Sequence, residues 1–373
     1  MRSRFHLRCK EKLYTRFVVL LIVTLFCVAC GEGNAPEPTE VRSTEERGKA
    51  TEVGSTEERG KATEVGSTEE SGEGTDVGSS EVKSIFDLQG HRGARGRRPE
   101  NTLPGFEFAL DLEVTTLEFD LQLTKDEVVV VSHDGVLGEN CRVEGADLSR
   151  QVRELTLEEL KQYRCHLNPD AKRFPEQAAE AMPLAQENYT VPTLQELFEF
   201  VEAYAASEIK SQSQREKAAA VRFNLETKRK PRQPELIGDD FDGKTPGVFE
   251  KRIVELVEQY DLTKRVTIQS FDHRSINVIP QLNTEIRTVA LTSRPAKPTQ
   301  IAEETSANIW SPDYKTLTAK NITAAHDAGL LVVPWTVNDP ELMGNLIDLG
   351  VDGLITDYPD LLVELLKERG IEW

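Results

Sequence analysis

From residue 85 to residue 373 the chain alternates short apolar, β-rich runs with longer stretches of helical periodicity. Strand-like runs fall at 85–90, 116–121, 128–132, 221–225, 266–269, 287–291, 307–310, 330–334 and 353–356. Helical stretches lie between them at 102–112, 157–163, 193–206, 247–260, 274–281, 299–304, 318–328, 340–349 and 360–369. Thr193 with Glu196 carries a helix-start signal, and so does the neighbourhood of Ser275. Gly329 and Gly350 stand where helices end. Such alternation requires parallel strands joined by crossovers, which places the chain in the α/β class. About eight strand–helix units in roughly 290 residues fit a TIM (β/α)8 barrel. A doubly wound sheet is the runner-up. Its dinucleotide-binding form is disfavoured because Gly90, Gly93 and Gly96 are spaced by threes and do not form G-x-G-x-x-G. Residues 135–192 are too long for one strand–helix connection and read as an insertion after the second strand. Residues 228–245 read as a second long loop.

Catalytic groups in such a barrel sit at the C-terminal ends of strands. Glu118-Phe119-Asp120 puts two carboxylates on one strand face and Phe119 on the other. Neighbouring acids in a barrel interior repel unless neutralised, and a hard divalent cation, Ca²⁺ or Mg²⁺, neutralises them with oxygen ligands. Glu226 and Lys228 share a face at another strand end. Glu226 would complete the cation site and Lys228 would hold a phosphate oxygen, although a surface ion pair satisfies the same local pattern. His91 and His133 each follow an apolar run, and Arg92 adjoins the first. Two imidazoles beside a carboxylate cluster point to an acid–base pair. Gly90 and Gly93 would let a ligand approach the backbone closely.

The linked series is specific. Gly90-His-Arg-Gly-Ala-Arg-Gly-Arg-Arg-Pro-Glu-Asn-Thr-Leu103, Leu117-Glu-Phe-Asp-Leu-Gln-Leu-Thr-Lys-Asp126 and Val130-Val-Ser-His-Asp134 resemble the signature of the glycerophosphodiester phosphodiesterase family. The order continues through 223–228, 268–272, 333–338 and 352–359, so the resemblance covers roughly the whole of 85–373. It implies a TIM barrel that hydrolyses glycerophosphodiesters to glycerol 3-phosphate and an alcohol, using one divalent cation. Carried over by motif, His91 and His133 are the acid–base pair, and Glu118, Asp120 and Glu226 ligate the metal. Arg92 and Lys228 face the phosphate, and Glu100 supports the site. Trp335 packs against the glycerol or the leaving group; on sequence alone it is equally a core residue. After His133-Asp134 the chain reads Val136-Leu137-Gly138-Glu139 where the family commonly has leucine-aspartate-arginine. Contacts just beyond His133 are therefore this chain's own. Alternatives to the expected activity are a phosphodiesterase acting on lysophospholipid or phosphoinositide headgroups, and a non-catalytic phosphate-ester-binding surface lipoprotein.

The first 84 residues have another character. Six bases and one acid precede an uncharged run at 17–29, a signal-peptide pattern too short for a membrane span. Cys27-Val-Ala-Cys30-Gly31 resembles a bacterial lipoprotein signal, with Cys30 as the lipidated residue; Cys27 stands where leucine is usual. Residues 31–84 contain no aromatic residue and repeat a twelve-residue unit beginning at Thr39, with one valine per copy. One valine cannot build a stacking face, so 31–84 reads as a disordered acidic tether. Removing residues 1–29, with their six bases and one acid, takes the formal charge from -19 to -24. So acidic a chain disfavours a nucleic-acid partner, and a single long apolar run excludes a multi-span membrane protein. The expected location is outside the cytoplasm, lipid-anchored to a bacterial membrane and facing periplasm or cell surface. Three cysteines remain after processing, and with Cys30 acylated only Cys141 and Cys165 are left to form a disulfide.

Overall fold

The computed structural model describes residues 85–143 and 149–373. The expected signal peptide, Cys30 and the repeat tether lie outside the described residues. Backbone hydrogen bonds from Phe86 N to Glu372 O (3.1 Å) and from Asp87 N to Asp352 O (3.0 Å) fix the start of the domain against its own C-terminal segment. The first unit is β1 (Asp87–His91) and α1 (Leu103–Asp111). A hairpin of β2 (Thr116–Leu123) and β3 (Val129–Val131) follows, and then the insertion with its short α2 (Leu157–Leu160). Two helices, α3 (Leu194–Ala206) and α4 (Gln212–Ala220), return the chain to β4 (Arg222–Thr227). Regular alternation then runs through α5 (Val248–Gln259), β5 (Val266–Ser270), α6 (His273–Val278), β6 (Arg287–Thr292) and α7 (Pro298–Glu304). It ends with β7 (Ile309–Pro312), α8 (Ala319–Asp327), β8 (Leu331–Val332), α9 (Pro340–Asp348), β9 (Gly353–Thr356) and α10 (Pro359–Arg369).

Eight strands pair in parallel in the order β8-β7-β6-β5-β4-β2-β1-β9. Asp352 N donates to Val332 O (2.9 Å) and Ile355 N to Pro334 O (3.0 Å), which joins the two edges into a (β/α)8 barrel. Pro334 has no N–H, so β8 is cut to two residues although its carbonyl still takes part in the closure. Alternation along β2 works as the pattern predicts. Phe119 points outward, edge-on to Phe106 of α1 (5.6 Å) and Phe223 of β4 (6.4 Å), so Glu118 and Asp120 face the barrel interior. Helix α3 starts at Thr193, whose hydroxyl accepts from Glu196 N (3.0 Å) while Glu196 Oε2 accepts from Thr193 N (2.8 Å). It buries Leu194, Leu197, Phe198 and Val201 at helical spacing.

Two elements depart from the sequence reading. The run at 128–132 is β3, which pairs antiparallel to β2 (Leu121 opposite Val131) and is not a barrel strand. Only a tight turn separates the two, and a parallel crossover needs a dozen residues or more. Helix α4 had no counterpart in the sequence reading, because Gln212–Ala220 buries only Ala218 and shows no apolar stripe.

The insertion carries a small core of its own, in which Leu137, Val152, Leu155, Leu160 and Tyr163 pack on Val130 of β3. A disulfide joins Cys141 to Cys165 (S–S 1.98 Å) within it. The loop at 228–245 is held by buried Arg229. Its guanidinium donates to both oxygens of Asp239 (2.8 and 2.6 Å) and both of Glu250 (2.6 and 2.7 Å). Glu250 accepts a further bond from Ser275 Oγ (2.6 Å). Removing one partner would leave buried charge uncompensated, so Arg229→Ala is expected to lower unfolding stability by about 3–5 kcal/mol. Urea denaturation checks this through the midpoint at unchanged slope.

Candidate active site

The parallel register of β2 and β4 sets Asp120 beside Glu226, and that of β1 and β2 sets His91 beside Glu118. Carboxylate oxygens of Glu118, Asp120 and Glu226 lie within 4.8 Å of one another, and all three residues are buried. Burial pushes the Glu118 carboxyl well above its usual range, and the Asp120 and Glu226 charges add to it. Burial likewise raises Glu226, against the opposing pull of Lys228. Burial would raise Asp120 too, but Arg92 and Lys228 outweigh it and hold this carboxylate well below its usual range. Among the described residues, nothing donates a hydrogen bond to buried Asp120 Oδ1, and Lys228 Nζ lies 3.4 Å from it. Three convergent hard oxygen donors with excess negative charge fit one divalent cation, and these residues would hold it.

The loop after β1 supplies two cations. Gly93 adopts a left-handed conformation (φ 86°), and a Cβ there would lie 2.8 Å from the Gly105 backbone. A Cβ on Gly90 would meet Gly93 O at 2.2 Å. This folding lets Arg92, itself at φ 51°, donate its backbone N–H to Glu118 Oε2 (3.0 Å). Its Nε lies 3.1 Å from Asp120 Oδ2, and Nη1 donates to both Glu100 oxygens at 3.0 Å. Burial alone would lower the Arg92 guanidinium; Glu100, Asp120 and Glu118 reverse that and raise it. Arg95 Nε also reaches Glu100 (2.6 Å), so Glu100 holds two guanidiniums in place. Lys228 Nζ pairs with Glu226 Oε1 (2.8 Å).

The two imidazoles are held differently. Nδ1 of His91 lies 2.6 Å from Asp357 Oδ1, just past β9. Nε2 lies 3.9 Å from Glu118 Oε2. Burial lowers the His91 imidazole below its usual range despite Asp357. Burial would raise Asp357, but His91, Arg95 and the Asn338 amide hold it down to about 2. The arrangement therefore assigns a neutral ring whose Nδ1–H donates to an ionised carboxylate, leaving the Nε2 lone pair on the acid-cluster side. Asn338 Nδ2 donates to Asp357 Oδ2 (2.7 Å) and fixes it in turn. His133 follows β3 on the hairpin and is 28% exposed, with Nδ1 2.9 Å from Asp134 Oδ1.

These groups share one cleft of about 260 Å³, lined among others by His91, Arg92, Glu118, His133, Lys228 and Trp335. Trp335 is half-buried and lines the cleft. Its indole N–H donates to Ser311 O (2.9 Å) and its ring meets Phe271 edge-on (5.4 Å). The structure thus gathers His91, His133, Arg92, Lys228, Glu118, Asp120, Glu226 and Trp335, with Glu100 immediately behind them. Cys141 and Cys165 lie in the insertion, behind the His133 loop. Several supporting residues lie inside the motif stretches but were not singled out there. Asn101 Nδ2 donates to Asp120 Oδ2 (2.9 Å) and Gln269 Nε2 to Glu118 Oε1 (2.7 Å). Asp357 and Asn338 lie inside the motif stretches 352–359 and 333–338, but only the closed barrel shows what they orient.

Residues 91–361 match the model of the Glycerophosphoryl diester phosphodiesterase family. The chain is 32% identical over 288 residues to a glycerophosphodiester phosphodiesterase of Bacillus subtilis, covering 74% of this chain and 85% of the relative. It is 29% identical over 281 residues to one of Bacillus altitudinis, covering 74% and 97%. A solved structure of the same family name from Silicibacter pomeroyi superposes with a TM-score of 0.65 at 30% identity, over 78% of this chain and 96% of that one. The chain belongs to the glycerophosphodiester phosphodiesterase family and is a phosphoric diester hydrolase built on a (β/α)8 barrel.

Proposed function

We propose that the protein hydrolyses glycerophosphodiesters to glycerol 3-phosphate and an alcohol, with one divalent cation and a pair of histidines. The observation that carries this reading is the Glu118, Asp120 and Glu226 cluster opening into a cleft that both imidazoles line. Arg92 and Lys228 face the same cleft and hold the phosphate oxygens, Arg92 through its planar donors and Lys228 as a point charge. One histidine takes the proton of the nucleophile, either water or the substrate's own glycerol hydroxyl. As the new P–O bond forms, the bond to the alcohol breaks, and the other histidine gives its proton to the departing oxygen. With the glycerol hydroxyl as nucleophile, a cyclic phosphate forms and water opens it in a second step. Asp357 keeps the His91 ring in one tautomer and orientation, and Asp134 does the same for His133. When bound, Ca²⁺ or Mg²⁺ supplies positive charge against the negative charge that develops on the phosphoryl oxygens.

The same reading extends to location. The lipobox-like Cys30 and the polar repeats of 31–84 support an exported, lipid-anchored enzyme on a bacterial membrane, facing periplasm or cell surface. The Cys141–Cys165 disulfide supports an oxidising compartment. Radiolabelled palmitate is expected to label the wild-type chain, and Cys30→Ala to abolish the label and release the protein from membranes.

Chelation with EDTA is expected to abolish release of glycerol 3-phosphate from glycerophosphocholine. Ca²⁺ or Mg²⁺ added back restores it, and activity that survives chelation would refute the cation requirement. His91→Ala and His133→Ala are each expected to lower kcat about 10²–10⁴-fold, with the fold intact by circular dichroism. Asp357→Asn leaves His91 in place but loses its anionic partner. The expected result is a kcat lower by about 10–100-fold with KM little changed.

A further inference from the structure

A second chamber of about 370 Å³ lies under the insertion, next to the catalytic cleft. Arg92, Arg95, His133 and Arg173 line both spaces. A diester with its phosphoryl group between Arg92 and His133 therefore has one ester arm in each. Apart from His133 and Arg173, the cleft is lined by barrel strand ends and the loops that follow them, and it closes on Trp335 and Phe271. Besides the shared residues, Glu100 and Asp134, the outer chamber is lined by segments 138–140 and 167–177, which belong to the insertion. The glycerol 3-phosphate half belongs with the barrel's own residues, and the variable alcohol with the insertion.

The outer chamber is polar and of mixed sign. Its aromatic ring, Phe174, is only 2% exposed. The guanidiniums of Arg95 and Arg173 lie 4.7 and 5.0 Å from its centroid. A quaternary ammonium group needs open aromatic faces. Here it would find the ring already covered and two cations beside it. A hydroxyl both donates and accepts, and the chamber offers both partners. Glu139 and Asp170 bring exposed carboxylates, Asn140 an amide, and Arg173 a half-exposed guanidinium whose ion-pair partner among the described residues is Asp357, at 3.9 Å. We propose that this chamber is the leaving-alcohol subsite and takes a polyhydroxylated alcohol, with Arg173 as its specificity-determining residue. The inference rests on the hydrolysis proposed above and adds the class of alcohol to it.

The test compares kcat/KM for glycerophosphoglycerol and glycerophosphocholine, using the full-length protein supplied with Ca²⁺ or Mg²⁺. The wild type is expected to favour the polyol diester by about tenfold or more. Arg173→Ala is expected to bring the ratio to within about threefold, mainly through KM on the polyol diester, and Arg173→Lys to keep part of it. Equal efficiency on the two diesters in the wild type, or an equal loss on both in Arg173→Ala, would overturn the subsite while leaving hydrolysis standing. Cleavage of neither diester would remove the hydrolytic reading and this inference together.

Discussion

Everything at the mouth of this barrel answers one electrostatic problem. Parallel register brings three carboxylates, on two adjacent strands, to within 4.8 Å inside a buried space. Unscreened acids at that distance strongly disfavour sharing a site. The surrounding structure supplies positive charge and donors at fixed points: Arg92 through its backbone N–H and its guanidinium, Lys228 through its ammonium, and Asn101 and Gln269 through their amides. These groups leave the cluster electron-rich and aimed at the cleft, which is the environment that attracts a hard cation and a phosphodiester together.

The positively charged groups are themselves held from behind. Glu100 grips Arg92 and Arg95, and Asn338 holds the Asp357 that orients His91. The Arg229–Asp239–Glu250 network pins the loop that follows Lys228. A site built this way positions charge before substrate arrives, which is where electrostatic catalysis gains most.

The parts of this arrangement that were legible in the sequence are those fixed by short-range periodicity. Two acids separated by Phe119 must share a strand face, and the outward packing of Phe119 on Phe106 shows why that position is aromatic. Thr193 and Glu196 announce the start of α3 in the same local way. What could not be read depends on long-range closure. Asp357 lies 266 residues from His91 along the chain, and no local pattern ties a carboxylate after β9 to an imidazole at the end of β1. The direction of β3 does not show in its apolar run, which reads alike in either pairing, but in the short connection from β2, which no parallel crossover can span. Helix α4 escaped the sequence reading because it shows no apolar stripe, although Ser211 and Gln214 carry the same local capping signal and it packs on α3.

The two imidazoles that line the cleft stand on unequal supports. His91 belongs to the barrel wall, whereas His133 rides on the hairpin from which the disulfide-tied insertion grows. The hairpin that leads into the cap of the outer chamber therefore also carries one of the two cleft imidazoles. Under the mechanism and subsite proposed above, substitutions that remodel the cap for a new alcohol would shift that imidazole as well, which would make substrate range and turnover mechanically linked traits.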